Sequence, residues 1–96
     1  MLFSEAKKII KDHQPDLSDL GVYSLAIFGS TARNQRKKKS DVDILIDFDD
    51  TRGLFGFVDL KDYLESILHC KVDLVTKEAL HPALKESILR EARQIF

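Results

Sequence analysis

Phe28-Gly29-Ser30-Thr31-Ala32-Arg33 and, after a basic loop, Ser40-Asp41-Val42-Asp43-Ile44-Leu45-Ile46-Asp47 decide how the rest of this chain reads. The apolar run Leu25 to Phe28 ends in Gly-Ser, and a second apolar run opens with aspartates at i and i+2. Side chains alternate across a strand, so Asp41 and Asp43 point to one face with Cα atoms roughly 6.5 Å apart. Two carboxylates that close repel each other. A purely structural role would have them cap turns or pair with Arg33 and the lysines. A site for a divalent cation and a phosphorylated ligand calls for this arrangement directly.

Working outward, Val22 to Phe28 reads as a strand, rich in β-branched and aromatic residues, with Gly21 as a turn before it and Gly29 as its stop. Ser30 to Arg33 reads as the start of a short helix, whose N-terminus presents unpaired N–H groups suited to phosphate. Glycine at position 29 lets backbone approach that phosphate closely. Asn34 to Lys39 is a polar, basic loop. It is either simply solvated or draws in a triphosphate or an acidic partner.

Asp41 to Phe48 is the second strand. Val42, Ile44, Ile46 and Phe48 form the face expected beneath the helices. Asp41, Asp43, Leu45 and Asp47 form the other, which cannot be core because it holds three carboxylates. Asp47 reads as a strand-end group rather than a ligand. Asp49 to Gly53 is a turn. Residues 71–76 form the third strand, with Asp73 and Val75 on one side and Val72, Leu74 and Thr76 on the other. An acid in so short a strand suits β structure poorly. It makes sense if this strand lies beside residues 41–48 and aims Asp73 at Asp41 and Asp43.

Three helices complete the pattern. Residues 2–13 place Leu2, Ala6, Ile9, Ile10 and His13 on one face, with Pro15 and Asp16 ending the helix and His13 at the surface. Residues 55–69 bury Phe57, Val58, Leu60, Leu64, Ile67 and Leu68, while Lys61, Asp62, Glu65 and Ser66 face water. Residues 79–95 carry the stripe Leu84, Ile88, Leu89, Ala92 and Ile95, with Pro82 in the first turn and His81 capping it or facing water. Cys70 reads as a small buried residue, since nothing in the sequence is placed to activate it.

Composition narrows the function classes. A chain of 96 residues supports one domain, residues 1–96, with a single core. Its 44% hydrophobic and 32% charged content is that of a soluble globular protein. No apolar run approaches the ~20 residues that span a bilayer, and there is no signal-peptide-like stretch, so no membrane role is expected. One cysteine excludes an internal disulfide and fits a reducing cytosol. A net charge of −1 gives no general attraction for nucleic acid, which is not expected as a direct ligand.

Gly29-Ser30-x-x-Arg33 followed by Ser40-Asp41-x-Asp43, with Asp73 on a later strand, resembles the signature of the DNA polymerase β-type nucleotidyltransferase superfamily. It is most similar to the small members known as minimal nucleotidyltransferases, or MNT-domain proteins, over about residues 20–76. Many of these have Gly where Asn34 stands here. Asn also tolerates the left-handed conformation, so that departure is mild. The resemblance implies an α+β fold of the polymerase β palm type: a small mixed sheet of about three strands with helices packed mainly on one face. Gly29, Ser30 and Arg33 would then bind nucleotide phosphates, and Asp41, Asp43 and Asp73 would be catalytic and hold Mg²⁺, two ions being expected. Oxygen donors without His or Cys suit that hard cation independently.

The resemblance also implies an antitoxin that transfers AMP from ATP to a hydroxyl, a tyrosine of a partner HEPN-domain toxin being the first candidate. A non-catalytic module that neutralises its partner by covering it is the alternative, and transfer to RNA or a small molecule is a third. The chain is too short for a dedicated acceptor domain, so the acceptor binds at a shared surface or belongs to a partner, in a homo- or hetero-oligomer.

Overall fold

Two aliphatic runs pair first. β1 (Val22–Phe28) lies antiparallel to β2 (Val42–Phe48), with Ile27 opposite Ile44, Leu25 opposite Ile46 and Phe28 opposite Asp43. The computed structural model describes residues 1–33 and 41–96. The expected phosphate- or partner-attracting loop from Asn34 to Lys39, and Ser40 after it, lie outside the described residues.

β3 (Val72–Thr76) runs parallel to β2, with Val42 beside Val72 and Ile44 beside Leu74. Parallel neighbours need a long crossover. That crossover is α4 (Gly53–Leu68), preceded by a 3₁₀ turn at Asp50–Arg52. The sheet has four strands in the order β3-β2-β1-β4, the last being β4 (Arg93–Gln94) antiparallel to β1. The sequence suggested about three strands. The fourth is two residues long and has no alternation to reveal it.

The helices α1 (Phe3–Asp12), α2 (Gln14–Asp19) and α4 cover one face, as expected. Phe3, Ala6 and Ile10 of α1, Leu17 of α2, and Leu60, Leu64 and Leu68 of α4 pack with Leu25, Ile27, Val42, Ile44, Ile46, Val72 and Leu74. Full burial of each large aliphatic side chain stabilises the fold by about 1.5–3 kcal/mol. Among the described residues no helix is long and apolar enough to cross a membrane.

Several expectations are corrected. Pro15 does not end the helical region. It occupies the first turn of α2, where its missing N–H costs nothing. His13 is half-buried rather than a surface residue: its Nδ1–H donates to the Ile9 carbonyl at 2.8 Å and its ring meets Tyr63 edge-on. Val58, expected to be buried, is 43% exposed. Lys61 and Glu65 are half-buried, and Glu65 accepts from the Val72 N–H at 2.9 Å.

The C-terminal helix is shorter than its apolar spacing suggests. α5 spans Pro82–Glu91, with His81 as its N-cap, its Nδ1 accepting the Ala83 N–H at 3.1 Å. Ile95 then joins the sheet edge, its N–H donating to the Leu25 carbonyl at 2.8 Å. No residue of α5 is buried, and Leu84 and Leu89 are 56% and 44% exposed. The sheet face that carries the acids is also less open than expected. Leu45 is only 1% exposed and Ala26 is buried beside it. Leu89 and Ala92 overhang these two across a cavity of about 120 Å³, so the middle of the face is covered and the acids lie toward its margins.

Candidate active site

Each acid is placed by a strand. In the parallel pairing of β2 and β3, Asp43 and Asp73 are direct Cα partners. Side-by-side residues on neighbouring strands share a face, so the two carboxylates project the same way. Their strands lie about 4.8 Å apart. Asp41 stands two residues before Asp43, at the mouth of β2, where the Val42 N–H is tied to the Lys71 carbonyl at 3.0 Å. It therefore continues the same row. Acids on two neighbouring strands could give a divalent cation oxygen donors from both. Asp47 is exposed at the far end of β2, opposite Ser24. Four residues along a strand is about 13 Å, too far to join Asp43.

The glycine turn abuts this row. β1 ends at Phe28, directly opposite Asp43, and Gly29 opens α3 (Gly29–Ala32) with φ at +69°. A Cβ at position 29 would run into the Asp43 carboxylate, so only glycine lets the turn and the acid stand this close. Helix α3 is a single turn, so its dipole is slight. What it offers is the unsatisfied N–H groups of its first turn. Ser30 and Thr31 are buried, at 5% and 3% exposure.

Arg33 closes α3. Its Nη1 donates to the Glu91 carboxylate at the end of α5, and the two side chains are 47% and 30% exposed. Neither Glu91 nor the helix bearing it figured in the sequence reading of the site. Arg93 is a second such residue: it lies over the Phe3 ring, 3.6 Å from the centroid, and donates to the Ala32 carbonyl at 3.4 Å.

The donor set can be tested against magnesium. Among the described residues no three His, Cys, Asp or Glu side chains gather closely enough to cage a metal unaided. Magnesium does not ask for such a cage. It takes one or two carboxylates and completes its shell with water and substrate phosphates. A pair of acids beside a turn of open N–H groups fits an ion that arrives with its nucleotide. Two cavities among the described residues lie elsewhere: the one under α5, and one of about 260 Å³ bounded by Tyr23, Asp47, Phe48, Asp49, Asp50, Thr51 and Glu78. Neither is lined by Asp41, Asp43 or Asp73.

Electrostatics disfavour Cys70 as a nucleophile. Burial pushes its thiol above the usual 9.0; the N-terminal ammonium pulls the other way, and the Asp41 and Glu65 carboxylates push it up further.

Comparison with known proteins gives the family. The family described as Nucleotidyltransferase domain matches residues 4–95. A Methanocaldococcus jannaschii protein provisionally named a protein adenylyltransferase is 45% identical over 87 residues, covering 88% of this chain and 89% of its own. Protein adenylyltransferase MntA of Thermococcus cleftensis is 38% identical over 92 residues, covering 95% and 93%. A solved structure provisionally described as a minimal nucleotidyltransferase superposes with a TM-score of 0.83 at 32% identity, covering 97% of this chain and 95% of that one. The fold recurs, at 22% identity and a TM-score of 0.67, in a complex of AMPylated Shewanella oneidensis HEPN toxin with MNT antitoxin, where it covers 94% of this chain and 71% of that one. With a family match over nearly its whole length and such relatives, the chain belongs to the nucleotidyltransferase domain family, and it is a nucleotidyltransferase.

Proposed function

We propose that this protein is a protein adenylyltransferase that moves AMP from ATP to a hydroxyl of a partner protein, a tyrosine of a HEPN-type toxin, and so acts as its antitoxin. The observation that carries this reading is the pairing of Asp43 with Asp73 on adjacent strands beside the Gly29 turn. The names of its relatives supply the acceptor class, and the Shewanella complex supplies the kind of partner.

In the transfer, the acceptor oxygen bonds to the α-phosphorus of ATP. The bond from that phosphorus to the β-bridging oxygen breaks, and pyrophosphate leaves with the electron pair. Asp41, Asp43 and Asp73 would hold Mg²⁺, which when bound neutralises phosphate charge and makes the acceptor hydroxyl easier to deprotonate. Asp73, at the open margin of the row, takes the hydroxyl proton. The backbone N–H groups at Gly29 and Ser30, the Ser30 hydroxyl and the guanidinium of Arg33 would hold the β- and γ-phosphates. Such chemistry depends on positioning and charge rather than many reactive groups.

The test uses ATP labelled at the α-phosphate, Mg²⁺ and a HEPN-type toxin as partner. Label on the toxin, abolished by Asp41→Ala with Asp43→Ala, supports the enzyme. A toxin silenced equally well by that double variant, without label, would support neutralisation by binding alone. The exposed apolar residues Leu84 and Leu89 favour some contribution from binding. Label found instead on RNA or a small molecule would replace the toxin as acceptor.

A further inference from the structure

We infer that Glu91 is a positioning residue for nucleotide binding, acting through Arg33. The inference rests on the reading above, in which Arg33 contacts phosphate.

Three observations lead to it. Arg33 leaves α3 directly after the Gly29 turn, and its Nη1 is bound by the Glu91 carboxylate. Two residues further on, Arg93 donates to the Ala32 carbonyl, next to Arg33 at the same end of α3. The helix that delivers Glu91 contributes no buried residue, so these charged contacts add to the cover it gives Leu45. The C-terminal stretch from Glu91 to Arg93 thus grips the C-terminal end of α3 through the Arg33 side chain and the Ala32 carbonyl.

Arginine is long and rotamer-rich, and a phosphate that captures a free-swinging guanidinium must order it. A guanidinium already held at the turn is ordered in advance. Glu91 also brings a negative charge toward the phosphates, which opposes binding. Both side chains are partly exposed, however, so that repulsion is screened by water and salt, while the ordering is not. The balance favours positioning, and the sign of the effect can be measured.

The probe is a non-hydrolysable ATP analogue with magnesium, titrated calorimetrically into the full chain. Glu91→Ala removes both charge and hydrogen bond and is expected to weaken binding about two- to fivefold, the range open to an exposed ion pair. Glu91→Gln keeps an acceptor for Arg33 and is expected to restore most of the loss. In an Arg33→Ala background, Glu91→Ala should change nothing further. Thermal unfolding confirms that each variant is folded. Binding by Glu91→Ala that equals or exceeds the unmodified chain would overturn the inference, as would a loss that persists without Arg33. If the unmodified chain takes up no analogue, the nucleotide site itself fails and this inference falls with it. If it binds normally and only the Glu91 variants are silent, the site stands and Glu91 is a surface pair.

Discussion

The Asp43 carboxylate fills the volume that a side chain at position 29 would need: a Cβ on Gly29 would overlap its Oδ2 and fall 3.0 Å from its Cγ. The backbone there is also left-handed, at φ +69°. Gly29→Ala therefore carries two penalties, one conformational and one steric. The expected outcome is a stability loss of about 1–3 kcal/mol in urea unfolding, together with loss of AMP transfer because Asp43 must move.

Asp73→Asn should separate stability from activity. Asp73 faces a like charge at Asp43 across the strand pair. Asp73 is exposed, so replacing it should leave stability within about 0.5 kcal/mol. Magnesium-dependent transfer should disappear in the same protein. A variant both less stable and inactive would show that Asp73 is a structural residue instead.

Leu64 of α4 has no exposed surface and packs in the core. Leu64→Ala is expected to cost about 2–5 kcal/mol in urea unfolding. Leu84→Ser on α5, by contrast, should stay within about 0.5 kcal/mol, because Leu84 is already 56% exposed. The pair checks that α4 and not α5 belongs to the core.

One turn should sense acid. Thr51 donates to the Asp49 carboxylate from its hydroxyl at 2.6 Å and its N–H at 3.1 Å, and these bonds hold the Asp49 carboxyl below its usual 3.8. Because the folded value is depressed, the contribution is present above the ordinary carboxyl range and lost as pH falls through it. Asp49→Asn should therefore flatten the fall in stability between neutral pH and pH 3, followed by chemical unfolding at each pH.

The thiol gives a second pH test. With Cys70 held above its usual value, alkylation by iodoacetamide should be slow near pH 7 and accelerate as pH rises past 9. Unfolded protein should react faster at every pH below that.

Sequence alone disclosed most of the sheet. β1 coincides with the expected Val22 to Phe28, since alternation and the flanking Gly21 and Gly29 leave little freedom. The placing of Asp73 beside Asp43 followed from period-two spacing plus one assumption about strand adjacency, which the parallel register satisfies. Other features were hidden for physical reasons. Pro15 has the same composition whether it stops a helix or starts one. Leu84, Ile88, Leu89, Ala92 and Ile95 keep helical spacing to the end, yet the hydrogen bond from Ile95 to Leu25 outweighs that pattern. Leu45 looked exposed among its acidic neighbours because α5, which overhangs it, lies far away in sequence. The partnership of Arg33 with Glu91 spans 58 residues, and no local pattern announces it.

The parallel alignment of β2 and β3 also has a bearing on how the chain matures. Antiparallel β1 and β2 can zip together early, and with them come Asp41 and Asp43. Asp73 joins them only after α4 has crossed the sheet, and Glu91 reaches Arg33 later still along the chain. On the proposed reading, a chain that has not yet placed β3 holds two of the three acids, and transfer would wait for the sheet to be completed.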